Sequence, residues 1–173
     1  MTDLTTLQEL EPDLASRAVA VLTSTVNAVL ATVRLDGTPR LSGIDPWIAD
    51  GQLFLGFMPG SRKGADLRRD PRLALHGIPW ESRKVREGGT DPGEGDVKLT
   101  GRARFLSEEA ARASLAALAV ERGFDTPTDE DGNHEGDVVA VDITELVVIS
   151  VDGDELVVDR WTEADGRHTY RRK

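Results

Sequence analysis

Apolar positions along the chain switch between two periods. Over residues 12–23, Leu14, Ala18, Val21 and Leu22 fall on one helical face, and Pro12 and Asp13 suit a first turn. From Asn27 the period shortens. "NAVLATVRLDGTPRLSGIDPWIADGQLFLGF" reads as strand, turn, strand, turn, strand. Asp36-Gly37 and Asp50-Gly51 mark the turns, expected as type I′ with positive φ at both central residues. The same dipeptide recurs at Asp152-Gly153 and Asp165-Gly166, which makes 138–150, 155–162 and 167–172 a meander. Further strands are expected at 72–78 and 96–106. Ser107 opens a helix running to about Arg122, with Glu108 and Glu109 in its first turn and Gly123 as its stop. Segments 86–95 and 125–137 read as loops. No repeat and no linker divides the chain. Seven or eight strands with short helices predict one domain over 1–173, mainly β (α+β): an antiparallel barrel, closed or nearly so, with helices outside.

Charge narrows the function classes. The 173 residues carry 31 acidic and 21 basic side chains, a formal net charge of −10. That balance argues against nucleic-acid binding and against an anionic membrane surface. There is no cysteine, so disulfides, thiolate metal sites and cysteine nucleophiles are excluded, and a reducing cytoplasm is the expected setting. "MTDLTTLQELEPDLASR" does not read as a signal peptide, and no apolar run is long enough to span a membrane.

Against that acidic background, "GSRKGADLRRDPRLALHGIPW" (60–80) concentrates cations. It follows the strand "QLFLGF" and reads as a short helix from Ser61 to Arg69, ended by Asp70-Pro71. A helix start offers free N–H groups and a partial positive charge. Ser61 can cap it, Arg62 presents a planar fork and Lys63 a point charge, so a phosphate monoester is the natural guest. Arg68, Arg69 and Arg72 read instead as balancing acidic neighbours. For Arg62 and Lys63 the pattern alone leaves a solvated helix face open as well. The three histidines, His76, His134 and His168, show no metal-ligand spacing, and His76 reads as a packed or barrel-lining residue. Asp129, Asp131 and Asn133 alternate like a calcium loop, but its sixth position is His134 rather than glycine, so no metal is expected. Trp47, Trp80 and Trp161 read as core or interface residues, with cover for a cofactor ring the alternative at Trp161.

The 60–80 segment resembles the flavin-phosphate segment of the pyridoxamine 5′-phosphate oxidase-like, split β-barrel flavoproteins: Ser-Arg-Lys, a short helix, then Asp-Pro-Arg and a strand ending near Pro-Trp. "RLSGIDPW" (40–47) is similar to the strand lining the flavin ring, and "GDVKLTGRARFLSEEAAR" (95–112) to a barrel strand and its following helix. The resemblance covers roughly residues 25–120. It implies that Arg62 and Lys63 hold a cofactor phosphate, assisted by Ser61. It also implies that Arg40, Leu41, Ser42 and Gly43 run along the ring, with backbone amides facing its polar edge. Gly56 and Phe57 then sit beside the ribityl chain. It further implies a homodimer with the cofactor in the interface, where Asp96–Lys98 or Trp161 reach the partner's site.

This chain departs from true pyridoxamine phosphate oxidases. They carry lysine where Asp45 stands, and a Tyr and an Arg where Ser114 and Leu118 stand. Their C-terminal Arg-x-His motif gives way to "LVVDRWTEADGRHTYRRK". The resemblance thus implies an oxidoreductase using FMN or, alternatively, the deazaflavin coenzyme F-420, acting on a small organic substrate other than pyridoxine phosphate. A non-catalytic store or sensor for a flavin or planar anion is the other reading. No side chain stands out as catalytic acid or base.

Overall fold

The computed structural model describes residues 2–24, 27–77, 95–123 and 136–173. Trp80, Asp129, Asp131, Asn133 and His134, with nearly all of the 86–95 and 125–137 segments, lie outside the described residues.

Helices α1 (Leu4–Leu10) and α2 (Pro12–Thr23) lead into β1 (Ala28–Val33), β2 (Pro39–Ile44), β3 (Pro46–Ala49) and β4 (Gln52–Phe57). Helix α3 (Arg62–Arg69) and β5 (Arg72–Gly77) follow, then β6 (Asp96–Phe105), helix α4 (Glu108–Arg122) and the meander β7 (Asp137–Asp152), β8 (Glu155–Thr162) and β9 (Gly166–Arg172). The elements match expectation closely, with two exceptions. Helix α1 was not expected; Asp3 caps it by accepting from Thr6 N at 2.8 Å, and Leu4 and Leu7 are buried. The expected single strand over 39–49 breaks at Asp45 into β2 and β3.

One nine-stranded antiparallel sheet runs β2-β1-β5-β6-β7-β4-β3, with β8 and β9 branching from β7. Its two ends, β2 and β3, are joined through the single residue Asp45. The path must therefore curl back on itself, which is the barrel. Strand alternation then sorts the side chains. Leu30, Leu75, Leu99 and Leu146 face one another across the register and are fully buried inside. Helix α2 closes one side with Leu14, Ala15, Ala18, Val21 and Leu22. A second apolar cluster lies under α4, where Leu115 and Leu118 pack with Trp47, Phe54 and Val138. The Trp47 and Phe54 rings stack at 5.7 Å.

The Asp-Gly turns are not all of one type. Asp50 (φ 48°) and Gly51 (φ 69°) form the expected type I′ pair. At 36–37 only Gly37 is left-handed, and its N–H donates to Arg34 O at 3.0 Å, a three-residue hairpin loop. Asp152 pairs with Glu155, so that turn is Gly153-Asp154, one residue later than expected. Gly166 pairs with Thr162 and ends another three-residue loop. An L-residue tolerates positive φ poorly, so the structure spends that conformation on aspartate once and on glycine elsewhere among the described residues.

Candidate functional site

Where the barrel ends meet, three elements converge. Ser61 caps α3: its Oγ accepts from Gly64 N at 3.1 Å. Arg62 and Lys63 occupy the first turn, where backbone N–H groups lack an intrahelical acceptor. Lys63 Nζ reaches across to edge strand β2 and donates to Gly43 O at 2.7 Å. Burial pushes the Lys63 ammonium below its ordinary pKa of 10.5. Arg62 is exposed, with no hydrogen bond or ion pair among the described residues. Gly64 is buried and must be small: a Cβ there would lie 2.9 Å from Ser61 Oγ and 3.6 Å from Phe57 Cβ.

Gly56 and Phe57 end β4 beyond the last β3 pair, Pro46 with Leu55, so no β3 residue pairs with them, while the Trp47 ring lies against Gly56. Because Asp45 alone separates β2 from β3, this end of β4 lies beside the end of β2. Gly43, Gly56, Phe57 and Ser61–Lys63 are therefore gathered around one notch. Within it the roles differ from residue to residue. Phe57 turns its ring into the core at 4% exposure and offers only backbone. Leu41 is 72% exposed on the outer face of β2, and Ser42 is half-buried on the opposite face.

Arg40 is expected along a ring, but its side chain is engaged elsewhere. Its Nε donates to Asp66 Oδ2 at 2.6 Å, and Asp66 also accepts from Thr32 Oγ1 at 3.0 Å and Arg69 at 3.3 Å. The Arg40 hydrogen bond, with those from Thr32 and Arg69, outweighs burial and lowers the Asp66 pKa. This cluster locks α3 to β1 and β2. Trp161 is a correction. It is 4% exposed inside the core of its own chain, so its indole has no free face to lay on a cofactor. Core is likewise the place of Trp47.

The cations read as charge balance are that. Arg68 pairs with Asp137 and lies 4.4 Å from the centre of the Phe105 ring, Arg69 with Asp66, and Arg72 with Asp70 at 2.6 Å. His76 is not inside the barrel. It stands on the outer face, with Nε2 3.5 Å from Asp96 Oδ2.

Three partners were invisible to motif reading: Asp66 and Thr32 behind Arg40, and Arg122 beside Asp45. Arg122 pairs with Asp45 Oδ2 and donates to Pro46 O at 3.3 Å, across 77 positions of sequence. The only available signal was Thr32, a polar residue at an inward strand position, which needs a partner. Ser114 and Leu118 are buried under α4 at 7% exposure each, with Ser114 Oγ donating to Ala111 O. Neither can meet a substrate phosphate. Among the described residues no cluster of metal-ligating side chains occurs, and no helix is long and apolar enough to cross a membrane.

Similar folds occur among solved structures. A heme-binding protein from Mycobacterium smegmatis superposes with TM-score 0.61 at 23% identity, over 88% of this chain and 59% of that one. This chain thus spans less than two-thirds of that protein. PhzG from Burkholderia lata, in complex with tetrahydrophenazine-1-carboxylic acid, gives TM-score 0.60 at 16% identity, over 96% of this chain and 91% of that one. An F-420 reductase gives TM-score 0.53 at 17% identity, over 73% of this chain and 93% of that one. At these identities the likeness is one of fold. No curated protein matches the sequence. The profile described as pyridoxamine 5′-phosphate oxidase matches residues 14–150, most of the length. The chain belongs to the pyridoxamine 5′-phosphate oxidase family and has its split-barrel fold.

Proposed function

We propose that the protein is an oxidoreductase that holds FMN or coenzyme F-420 in the notch between β2, β4 and α3 and acts on a small organic molecule. The observation that carries this reading is the pair at the start of α3. Arg62 has no partner among the described residues, and Lys63 spends one of its three donors on Gly43 O. Both stand on a capped helix start, so the donor set suits a terminal phosphate. Family membership supports a flavin or deazaflavin, and the F-420 reductase among the structural relatives supports the second.

The bound cofactor supplies hydride transfer; the protein supplies binding and orientation. Ser61 presents its hydroxyl at the helix start, Gly56 and Phe57 present backbone, and the free edge of β2 at 40–44 presents N–H groups to a ring's polar side. The Lys63–Gly43 hydrogen bond fixes that edge relative to the phosphate anchor. Asp45, paired with Arg122 at the closing corner, disfavours a substrate phosphate beside it. The exposed Leu41 on the open outer face of β2 supports a homodimer with the cofactor between copies.

Absorbance of the purified protein, then titration with FMN and with F-420, tests the reading. Saturable binding of either, with substrate-dependent loss of the cofactor's absorbance, supports it. Binding without turnover leaves a store or sensor, and binding of neither overturns it.

A further inference from the structure

The C-terminal meander carries a feature that shares no residue with the notch. Leu146 and Val148 of β7 are fully buried, and strand alternation puts Ser150 on their side of the sheet. Register extends that side into β8 and β9 as two further rows: Asp159 beside Thr169, and Val157 beside Arg171. Arg167, in register with the buried Trp161, lies on the same side. Helix α2 covers it and adds Arg17 and Val21. Between α2 and the β8–β9 hairpin the packing leaves a cleft of about 560 Å³. Val147, of opposite parity on β7, belongs to the outer face of the barrel, so the cleft and that face lie on two sides of one sheet.

Three guanidinium groups line the cleft, and carboxylates hold each in place. Asp159, 2% exposed, accepts from Arg17 Nη1 at 2.7 Å and from Arg167 Nη2 at 3.1 Å. One buried anion thereby fixes two cations from α2 and β9. Arg17 Nη2 also donates to Ser150 Oγ at 3.2 Å. Arg171 gives Nη1 to both Asp152, at 2.9 Å, and Glu155, at 3.0 Å. Asp13, 3.5 Å from Arg17 and from Arg167, and Glu11, 3.6 Å from Arg167, hold the same arginines from outside the lining. A guanidinium has five N–H donors. These contacts leave the Nε–H of all three arginines, and Nη2 of Arg171, for other acceptors among the described residues. Arginines pinned this way lose little side-chain freedom when a guest arrives. The lining itself carries Arg17, Arg167 and Arg171 against Asp152 and Asp159, a surplus of one positive charge in a chain whose net charge is −10.

The spread of those cations selects the guest. Arg167 and Arg171 are four residues apart on β9, so their backbones stand roughly 13 Å apart. Val21 and Val157, both buried, give the cleft an apolar wall. A compact anion meets one end of such a cleft. A molecule with a negative group at each end and a short hydrocarbon middle meets both ends and the wall. Planar carboxylates match the guanidinium fork. We propose that this cleft binds a short-chain dicarboxylate, one carboxylate on Arg171, the other on Arg17 and Arg167, and the methylenes against Val21 and Val157. The site is independent of the oxidoreductase reading and stands or falls without it.

The test is calorimetric titration of the full chain at fixed ionic strength with glutarate, butyrate and inorganic phosphate. Saturable glutarate binding is expected, with butyrate and phosphate each at least about tenfold weaker, the loss of one charge-assisted hydrogen bond. Arg171→Met should weaken glutarate about tenfold or more and bring it close to butyrate. Arg171 is half exposed, and the melting midpoint of the variant checks that it folds. Asp152→Asn removes a carboxylate from the lining and should tighten glutarate, an effect that a purely structural ion pair would not produce. Lys63→Ala should leave glutarate binding unchanged, which separates this site from the cofactor anchor. No saturable binding of glutarate by the wild type, phosphate binding as tight as glutarate, or full affinity in a folded Arg171→Met overturns the proposal. Glutarate binding in a protein that takes neither FMN nor F-420 would sink the oxidoreductase reading and leave this site standing.

Discussion

Lys63 and Gly43 join α3 to the edge of β2: the ammonium donates to the carbonyl at 2.7 Å. A side chain that begins in a helix turn thereby fixes a strand edge, and two of its donors remain for a ligand. Burial already depresses the Lys63 pKa below 10.5. A bound anion acts oppositely and stabilises the charged form. Affinity for a phosphate-bearing cofactor is therefore expected to hold steady near neutral pH and to fall as Lys63 loses its proton, at a pH below that of an ordinary lysine. Binding isotherms across alkaline pH check this; Lys63→Met should abolish the fall.

The buried Asp159 carboxylate predicts acid lability. Burial disfavours its charge, but hydrogen bonds from Thr169 at 2.5 Å, Arg17 at 2.7 Å and Arg167 at 3.1 Å win and bring its pKa to about 2. A carboxyl with a depressed folded pKa stabilises the fold above its unfolded value of 3.8, and that stability is lost as pH falls toward about 2. Asp159→Asn should lower stability by roughly 3 kcal/mol at neutral pH, because Arg17 and Arg167 lose their shared partner. It should also flatten the loss below pH 3.8. Denaturant melts at several pH values read both effects.

Strands, hairpins and the caps of α2, α3 and α4 were legible because each rests on local chemistry. Pro12, Ser61, Ser107 and Gly123 sit where the helices start and stop. The phosphate anchor was legible for the same reason, since Ser61, Arg62 and Lys63 are consecutive. Pairing between distant residues was not. Nothing local in Arg40 tells that Asp66 holds it, nor in Asp45 that Arg122 stands beside it. Trp161 misled because an aromatic residue near a C-terminus suits a ring cover and a core equally; register with Leu146 puts it inside. The break at Asp45 was hidden because alternation continues across it.

Pyridoxine 5′-phosphate is expected to be a poor substrate. Asp45 would meet the phosphate with like charge, while Arg122 is engaged by Asp45 and Pro46. FMN-loaded protein supplied with this ester and oxygen should form little aldehyde. Turnover near the usual enzymatic value of about 10 s⁻¹ would show that the roles given to residues 40–45 are misplaced.

A homodimer is expected at micromolar concentration, because Leu41 and the outer face of the barrel are apolar and uncovered. Sedimentation should give about twice the 18.8 kDa chain mass. A monomer that binds cofactor at full strength would contradict a site shared between copies.

The most direct test compares two cations of one helix, α3. Lys63 has donors to spare at the notch, whereas Arg68 is committed to Asp137 and the Phe105 ring. Affinity for FMN or F-420 is measured by titration in the wild type, Lys63→Ala and Arg68→Ala. A lost charge-assisted hydrogen bond costs about 1.5–3 kcal/mol, so Lys63→Ala should weaken binding roughly ten- to a hundredfold. Arg68→Ala should change it less than about threefold. Equal, small effects at both positions would contradict the phosphate anchor and the function built on it.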